Sequence, residues 1–115
     1  MDSKSLVKEV VYALEDKKAN NIKVIDIRDI SSMGDYFIIA DGMNRNQIQA
    51  ICDNVEEFMS RAGANLKNRE GYANGGWILL DYYDIIIHIF SEEDRSFYDL
   101  EHIWRDGTIV SIGDL

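Results

Sequence analysis

The sequence contains no proline and a single cysteine, and each shortage limits what the chain can be. One cysteine excludes an intramolecular disulfide and any zinc site built from several thiolates. Without proline, glycine and asparagine must mark the ends of helices and strands. No apolar run approaches the roughly 20 residues that a membrane-spanning helix needs. The opening MDSKSLVKEV is too polar for a signal peptide and lacks the Arg-rich character of a transit peptide, so we expect a cytoplasmic protein.

Sequence motifs of the common catalytic sites are also missing. The chain has no P-loop, GxGxxG, CxxC, HExxH or GxSxG pattern. We therefore expect no catalytic residue, no cofactor and no bound metal ion.

Basic residues are too few to balance the acidic ones. The chain has 21 acids against 12 bases, which gives a net charge of −9. A chain of that sign is repelled by phosphate backbones, so we expect no direct contact with nucleic acid and no membrane partner. The same charge favours steering towards a basic protein. The simpler alternative is that the acidity only keeps the protein in solution.

Hydrophobic periodicity predicts helices and strands within one domain over residues 1–106, followed by a short tail. A first helix begins after a cap at Ser3 or Ser5. A longer helix begins near Asn44 and ends at the C-cap Gly63. Strands are predicted over residues 22–28, 36–41 and 66–72, followed by a hairpin over 77–90, a last helix opened by Ser91 and running to about Trp104, and a tail at 107–115 that is either a short strand or loose. This order indicates an α/β or α+β fold, with a sheet and helices packed on it.

Cys52 lies on the apolar stripe of the longer helix. No residue nearby in the sequence could act as a base to activate its thiol. We therefore predict a small buried core residue rather than a nucleophile.

The hairpin WILLDYYDIIIHIF is the most apolar segment, yet it also holds a tryptophan, a histidine and two aspartates. If Tyr82 and Tyr83 form a two-residue turn, Asp81 lies opposite Asp84, and Trp77 lies opposite His88. Alternation then gives one face branched aliphatic side chains only. The other, which we call the mixed face, carries Trp77, Leu79, Asp81, Asp84, Ile86, His88 and Phe90.

Two interpretations of the mixed face remain open. A half-exposed tryptophan and leucine beside a polar rim resemble the centre of a protein–protein interface. Alternatively, a further helix covers this face and His88 is a hydrogen-bonded core histidine. Asp81 and Asp84 are also typical of turns, and with His88 they could instead bind a metal ion.

Several strings together resemble one family, the ribosomal silencing factors (RsfS), also called Iojap-like proteins. The strings are VIDI at 24–27, ISS at 30–32, DYFIIA at 35–40 with Gly42, REG at 69–71, WILLDY at 77–82, DIIIHIF at 84–90, and RSFYDLE at 95–101 with Trp104. The resemblance covers residues 3 to 106. Two positions depart from the family pattern, since the family usually has glycine where Tyr83 stands and arginine where Asn46 stands.

The resemblance implies a function that composition does not. Members of the family bind the large ribosomal subunit through ribosomal protein fourteen, block joining of the small subunit and so repress translation. They are homodimers when off the ribosome, and their mixed sheet, flanked by helices, is similar to a nucleotidyltransferase core without its catalytic carboxylates. The partner-binding residues predicted on this basis are Trp77, Leu79, Asp81, Tyr82, Asp84, Ile86, His88, Tyr98 and Glu101. The alternatives are a nucleotidyltransferase-like enzyme that binds metal and nucleotide, and a homodimeric scaffold protein.

Overall fold

The computed structural model describes residues 2–29, 34–73, 76–92 and 107–115. Its elements are α1 (Ser3–Asp16), β1 (Asn20–Asp26), β2 (Tyr36–Gly42), α2 (Arg45–Arg61), β3 (Asn68–Glu70), β4 (Trp77–Asp81), β5 (Ile85–Ser91), β6 (Thr108–Val110) and a 3-10 turn (Ile112–Asp114). Residues 93–106, which hold most of the predicted last helix together with Tyr98 and Glu101, lie outside the described residues. In the described part, no helix has both the length and the apolar character to cross a membrane.

The six strands form one mixed sheet in the order β3-β4-β5-β2-β1-β6. β2 and β5 run parallel, and every other neighbouring pair is antiparallel. The predicted α+β class, a mixed sheet with helices packed on it, is confirmed. The segment predicted as a tail supplies the edge strand β6, in which Ile109 pairs with Ile25 of β1.

Helix α1 packs its apolar stripe against the sheet as predicted, but its cap is a different residue. Val7, Val10 and Leu14 are fully buried. The N-cap is Asp2, whose Oδ1 accepts the backbone N–H of Ser5 at 2.8 Å. Neither predicted serine caps the helix, because the aspartate one residue upstream is an equally good acceptor.

Helix α2 begins and ends as predicted. Asn44 caps it by accepting the Gln47 N–H at 2.9 Å. At the other end Gly63 adopts a φ of +84°, and the Ala64 N–H donates to the Met59 carbonyl at 2.9 Å. This is the Schellman arrangement that favours glycine. Cys52 is fully buried, and burial raises the pKa of its thiol to about 12, in agreement with a core role.

Two strands begin or end at other residues than predicted, because residues with positive φ interrupt the extended backbone there. β1 starts at Asn20 instead of residue 22 and contains an irregularity between Asn20 and Lys23, where Asn21 has a φ of +52°. β3 is only three residues long and is followed by Gly71, whose φ of +83° turns the chain out of the strand. Periodicity does not detect such turns.

The sheet is buried on both faces at its centre. All seven residues of β2 are buried. α1 and α2 cover the face that carries Ile38, Ile78, Leu80, Ile85, Ile87 and Ile89. The opposite face holds a second cluster made of Ile25, Ile27, Phe37, Ile39, Ile86 and Phe90, with Trp77 and Leu79 packed against it. The hairpin β4–β5 therefore contributes to both clusters.

Candidate partner-binding surface

The β4–β5 hairpin has the predicted alternation but a different register. Trp77 pairs with Phe90 and Asp81 pairs with Ile86. The predicted pairs of Asp81 with Asp84 and Trp77 with His88 are therefore wrong. The turn sits one residue later than predicted, because the Tyr82 N–H donates to the Ile85 carbonyl at 2.9 Å and leaves the next two residues at the tip.

The side chain of Asp81 explains where the turn forms. Its Oδ1 accepts the Tyr83 N–H at 2.8 Å, a local bond typical of aspartate at a turn. The Asp84 carbonyl then accepts the N–H groups of both Asp35 and Tyr36, which ties the tip to the start of β2. The turn chemistry considered for Asp81 is thus present, while the Asp84 side chain is exposed.

Tyr83 occupies a left-handed conformation, with a φ of +71°. A residue with a Cβ atom is strained there, and the tyrosine is 57% exposed, so it gains little from packing. We expect Tyr83→Gly to raise the free energy of unfolding by about 1 kcal/mol. Urea unfolding monitored by circular dichroism measures this change.

Tyr83→Ala is the matched control for that substitution. It removes the same ring, which lies 5.6 Å from Lys67 Nζ, but keeps the Cβ atom. We expect no gain in stability from alanine. Equal gains from glycine and alanine would show that the ring, and not the backbone strain, lowers stability.

His88 is held in an aromatic cluster on the mixed face. Its Nδ1 accepts the Trp77 Nε1–H at 2.9 Å, and the Phe37 ring centroid lies 4.5 Å from its own. Because Nδ1 is the acceptor, the proton of the neutral ring is on Nε2. Burial lowers the pKa of His88 to about 4. These observations favour the alternative in which His88 is a hydrogen-bonded core histidine.

The predicted site residues differ widely in their exposure. Trp77, Leu79 and Asp81 are half-buried, and Asp84 is exposed. In contrast, Tyr82, Ile86 and His88 have exposures of only 6%, 9% and 5%. The expectation that these three contact a partner directly therefore disagrees with their burial, and Tyr82 lies on the opposite, helix-covered face. We use the name hairpin surface for the four other predicted residues within the described ranges, Trp77, Leu79, Asp81 and Asp84.

Strand β3 extends the polar rim of the hairpin surface, which the sequence did not indicate. Glu70 pairs with Leu79 and Asn68 pairs with Asp81, and the Asn68 amide donates to Glu70 at 3.1 Å. Both side chains are exposed. The only available signal was the polar character of residues 68–70, because pairing between β3 and β4 depends on the turn that joins them.

Carboxylates gather at the end of the sheet where the hairpin turns. Asp26 ends β1, and Asp35 precedes β2 and joins the hairpin tip. Arg28 hydrogen-bonds Asp26, with a shortest contact of 2.6 Å, and lowers the pKa of that carboxyl. We call this the acidic end, formed by Asp26, Asp35, Asp81 and Asp84. Asp26 is already paired with Arg28, so Asp35, Asp81 and Asp84 are the members that suit lysine or arginine side chains of a partner.

The metal-binding alternative finds no support in the described residues. There, the one group of histidine, cysteine and acidic side chains close enough to share an ion is Cys52, Asp53 and Glu56. These groups already have structural partners, since Glu56 accepts from Arg69 at 2.8 Å and Asp53 from the Tyr72 hydroxyl at 3.1 Å. Asp81, Asp84 and His88, which the enzyme alternative needs, form no such group within the described ranges.

Comparison with known proteins identifies relatives over the whole chain. The family model described as "Ribosomal silencing factor during starvation" matches residues 1–115. The ribosomal silencing factor RsfS of Bacillus subtilis is 34% identical over 112 residues, which cover 97% of this chain and 95% of that protein.

Solved structures agree with the fold. The crystal structure of a protein from Chromobacterium violaceum matches with a TM-score of 0.89 at 30% identity, covering 96% of this chain and 92% of that one. A crystal structure from Bacillus halodurans matches with a TM-score of 0.85 at 31% identity, covering 95% and 99% of the two chains. Sequence and fold therefore point to the same relatives.

Proposed function

Because the chain belongs to the ribosomal silencing factor family, we propose that it represses translation by binding the large ribosomal subunit through ribosomal protein fourteen, where it blocks joining of the small subunit. The family match spans every residue of the chain. The observation that supports this proposal most directly is the hairpin surface, which combines two half-buried apolar side chains with accessible carboxylates.

In the proposed contact, the apolar and the acidic side chains of the hairpin surface have different roles. Trp77 and Leu79 supply an apolar centre, and a tryptophan held by neighbouring rings is typical of residues that dominate binding energy. Asp81 and Asp84 pair with lysine or arginine of the ribosomal protein, which adds orientation and speeds association. Tyr98 and Glu101, which lie outside the described residues, remain part of the proposed contact.

The proposed mechanism is steric and requires no chemistry. The molecule measures 33 × 32 × 26 Å. A body of that size bound on the intersubunit surface would separate two particles that must meet there. We therefore propose a regulator rather than an enzyme, homodimeric when free, that works in the cytoplasm where ribosomes act.

The test is sedimentation of purified large and small subunits, mixed at a magnesium concentration that favours association, with and without the protein. We expect the protein to travel with the large subunit and the fraction of joined ribosomes to fall. Binding without loss of joining would reject steric occlusion. Failure to bind the large subunit would reject the proposed function as a whole.

Charge reversal at the hairpin tip tests the proposed contact. Asp84→Lys changes an exposed side chain while keeping the backbone carbonyl that holds Asp35 and Tyr36. We expect affinity for the large subunit to fall at least about tenfold, because a charge pair becomes a repulsion. A pelleting assay over a range of protein concentrations measures this loss.

Asp84→Asn is the control, since it removes the charge without reversing it and should have an intermediate effect. Unchanged melting of both variants separates binding from folding. If Asp84→Lys binds as tightly as the unmodified protein, the acidic end does not face the partner.

A further inference from the structure

Charge is distributed unevenly in this acidic protein. Residues 17–25 and 42–52 contain Lys17, Lys18, Lys23 and Arg45 and none of the chain's 21 acidic residues. Four of the 12 basic residues thus fall in two short acid-free segments. Glu15 and Asp16 directly precede Lys17, so the excess of positive charge is confined to these two segments.

The fold brings these two segments together at one corner. The Gln47 amide donates to the carbonyls of Lys17 and Lys18, at 3.3 Å each, and its Oε1 accepts the Met43 N–H at 2.7 Å. The end of α1 is therefore pinned to the beginning of α2. Nearby Asp41 is only 1% exposed and accepts the Asn21 amide at 3.1 Å, so its carboxylate is withdrawn from the surface.

The side chains at this corner are exposed. Lys17, Lys18, Asn20, Arg45 and Asn46 are exposed, and the Arg45 guanidinium also donates to the Ala73 carbonyl. Met43 is 73% exposed, more than any other large hydrophobic side chain of the described residues. Within that part of the chain, no carboxylate forms an ion pair with Lys17 or Lys18. We call Lys17, Lys18, Met43 and Arg45 the basic corner.

The basic corner and the acidic end lie at opposite ends of the sheet. α1 runs from Asp2, near Asp35, to Lys17, and β2 runs from Tyr36 to Gly42 in the same direction. In a molecule 26–33 Å across, the two ends are separated by more than the Debye length of about 8 Å at physiological salt. The charges of one end are therefore largely screened from those of the other.

We propose that the basic corner contacts phosphate groups of ribosomal RNA when the acidic end is docked on a basic ribosomal protein. Lysine and arginine neutralise phosphates, asparagine amides hydrogen-bond base edges and ribose, and an exposed methionine packs against a base. The inference rests on the proposed function and adds a second partner to it. It also revises the expectation from net charge that the protein makes no contact with nucleic acid.

The salt dependence of large-subunit binding tests this contact. Pelleting assays at several salt concentrations compare the unmodified protein with Lys17→Gln/Lys18→Gln. The matched control is Lys4→Gln/Lys67→Gln, in which both exposed lysines lie towards the acidic end. We expect the basic-corner variant to bind about tenfold more weakly and to lose about 1.5 from the slope of log affinity against log salt. The control should keep the full negative slope.

Each outcome has a distinct meaning. If the unmodified protein does not pellet with the large subunit, the proposed function fails. If it pellets and the basic-corner variant has the same affinity and salt slope, the proposed function stands and the RNA contact is rejected. Equal losses in the two double variants would also reject it, because the effect would then follow total charge.

A crosslink identifies the molecule that lies against the basic corner. Met43→Cys provides an exposed thiol, whereas Cys52 is fully buried with a raised pKa and resists labelling. A photoactivated crosslinker on residue 43 is expected to join the protein to ribosomal RNA, while the same label on Tyr83→Cys, at the exposed hairpin tip, joins it to a ribosomal protein. Crosslinks from residue 43 to ribosomal proteins alone would overturn the proposal in favour of an acidic protein partner.

Discussion

Gly71→Ala is expected to prevent folding or to cost about 4 kcal/mol or more of stability. A Cβ atom at this position would lie 2.0 Å from the Trp77 carbonyl oxygen and 3.1 Å from its carbonyl carbon. Both atoms belong to the backbone, so no side chain can rotate away to make room. The φ of +83° adds strain for any residue other than glycine. Since Trp77 is the first residue of β4, the clash displaces the strand that carries the hairpin surface.

Gly63→Ala provides a close control for this prediction. Gly63 has nearly the same φ, +84°, but a Cβ atom there would meet nothing within 4 Å. It should therefore cost only the backbone strain, about 1 kcal/mol. Urea unfolding of both variants separates the two contributions. Similar losses at the two positions would show that conformation alone, and not contact with Trp77, requires glycine at position 71.

Acidification from pH 7 to pH 4 is expected to lower the free energy of unfolding by about 3 kcal/mol through His88 alone. Its pKa is about 4 in the folded protein, below the ordinary value of 6.5. Between these values the unfolded chain binds a proton that the folded protein does not. The contribution of His88 is therefore complete above pH 6.5 and is lost as the pH falls towards 4.

The residues around His88 indicate that it causes the loss of stability between pH 6.5 and pH 4. Its ring neighbours among the described residues are Phe37, Trp77 and Phe90, none of which titrates. Asp2 and Asp26 have pKa values lowered below 3.8, so their effects appear in stronger acid.

His88→Asn tests the assignment. An asparagine oxygen can still accept the Trp77 N–H but does not titrate. Urea unfolding at several pH values should give a much flatter dependence for the variant between pH 4 and 6.5. An unchanged dependence would mean that other groups cause the loss.

The hairpin shows how far sequence reasoning reaches. Alternation assigned each side chain of β4 and β5 to the correct face, because the period of a strand is fixed by its backbone. The register was not predictable, since it depends on the bond between Asp81 and the Tyr83 N–H and on a tyrosine adopting positive φ. The family preference for glycine at position 83 pointed to an unusual turn, and the φ of Tyr83 gives the physical reason for that preference.

The candidate site was predictable only in part for a similar reason. Trp77 and Leu79 are partly exposed, whereas Ile86 and His88 are buried. Periodicity identifies a face but does not reveal how much of it other parts of the chain cover. The basic corner was missed because net charge averages over the chain, and only the contact of Gln47 with Lys17 and Lys18 brings its two segments together.

The order of the strands has a consequence for how the chain folds. The central parallel pair joins Tyr36 to Ile85, and β1 completes its ladder only with Ile109. Pairings so distant in sequence close large loops before they gain any contact, which places folding on a timescale of about milliseconds to seconds. During synthesis, β1 keeps one unpaired edge until residues 108–110 have left the ribosome. A nascent chain therefore does not reach its finished shape until the segment that forms β6 has emerged.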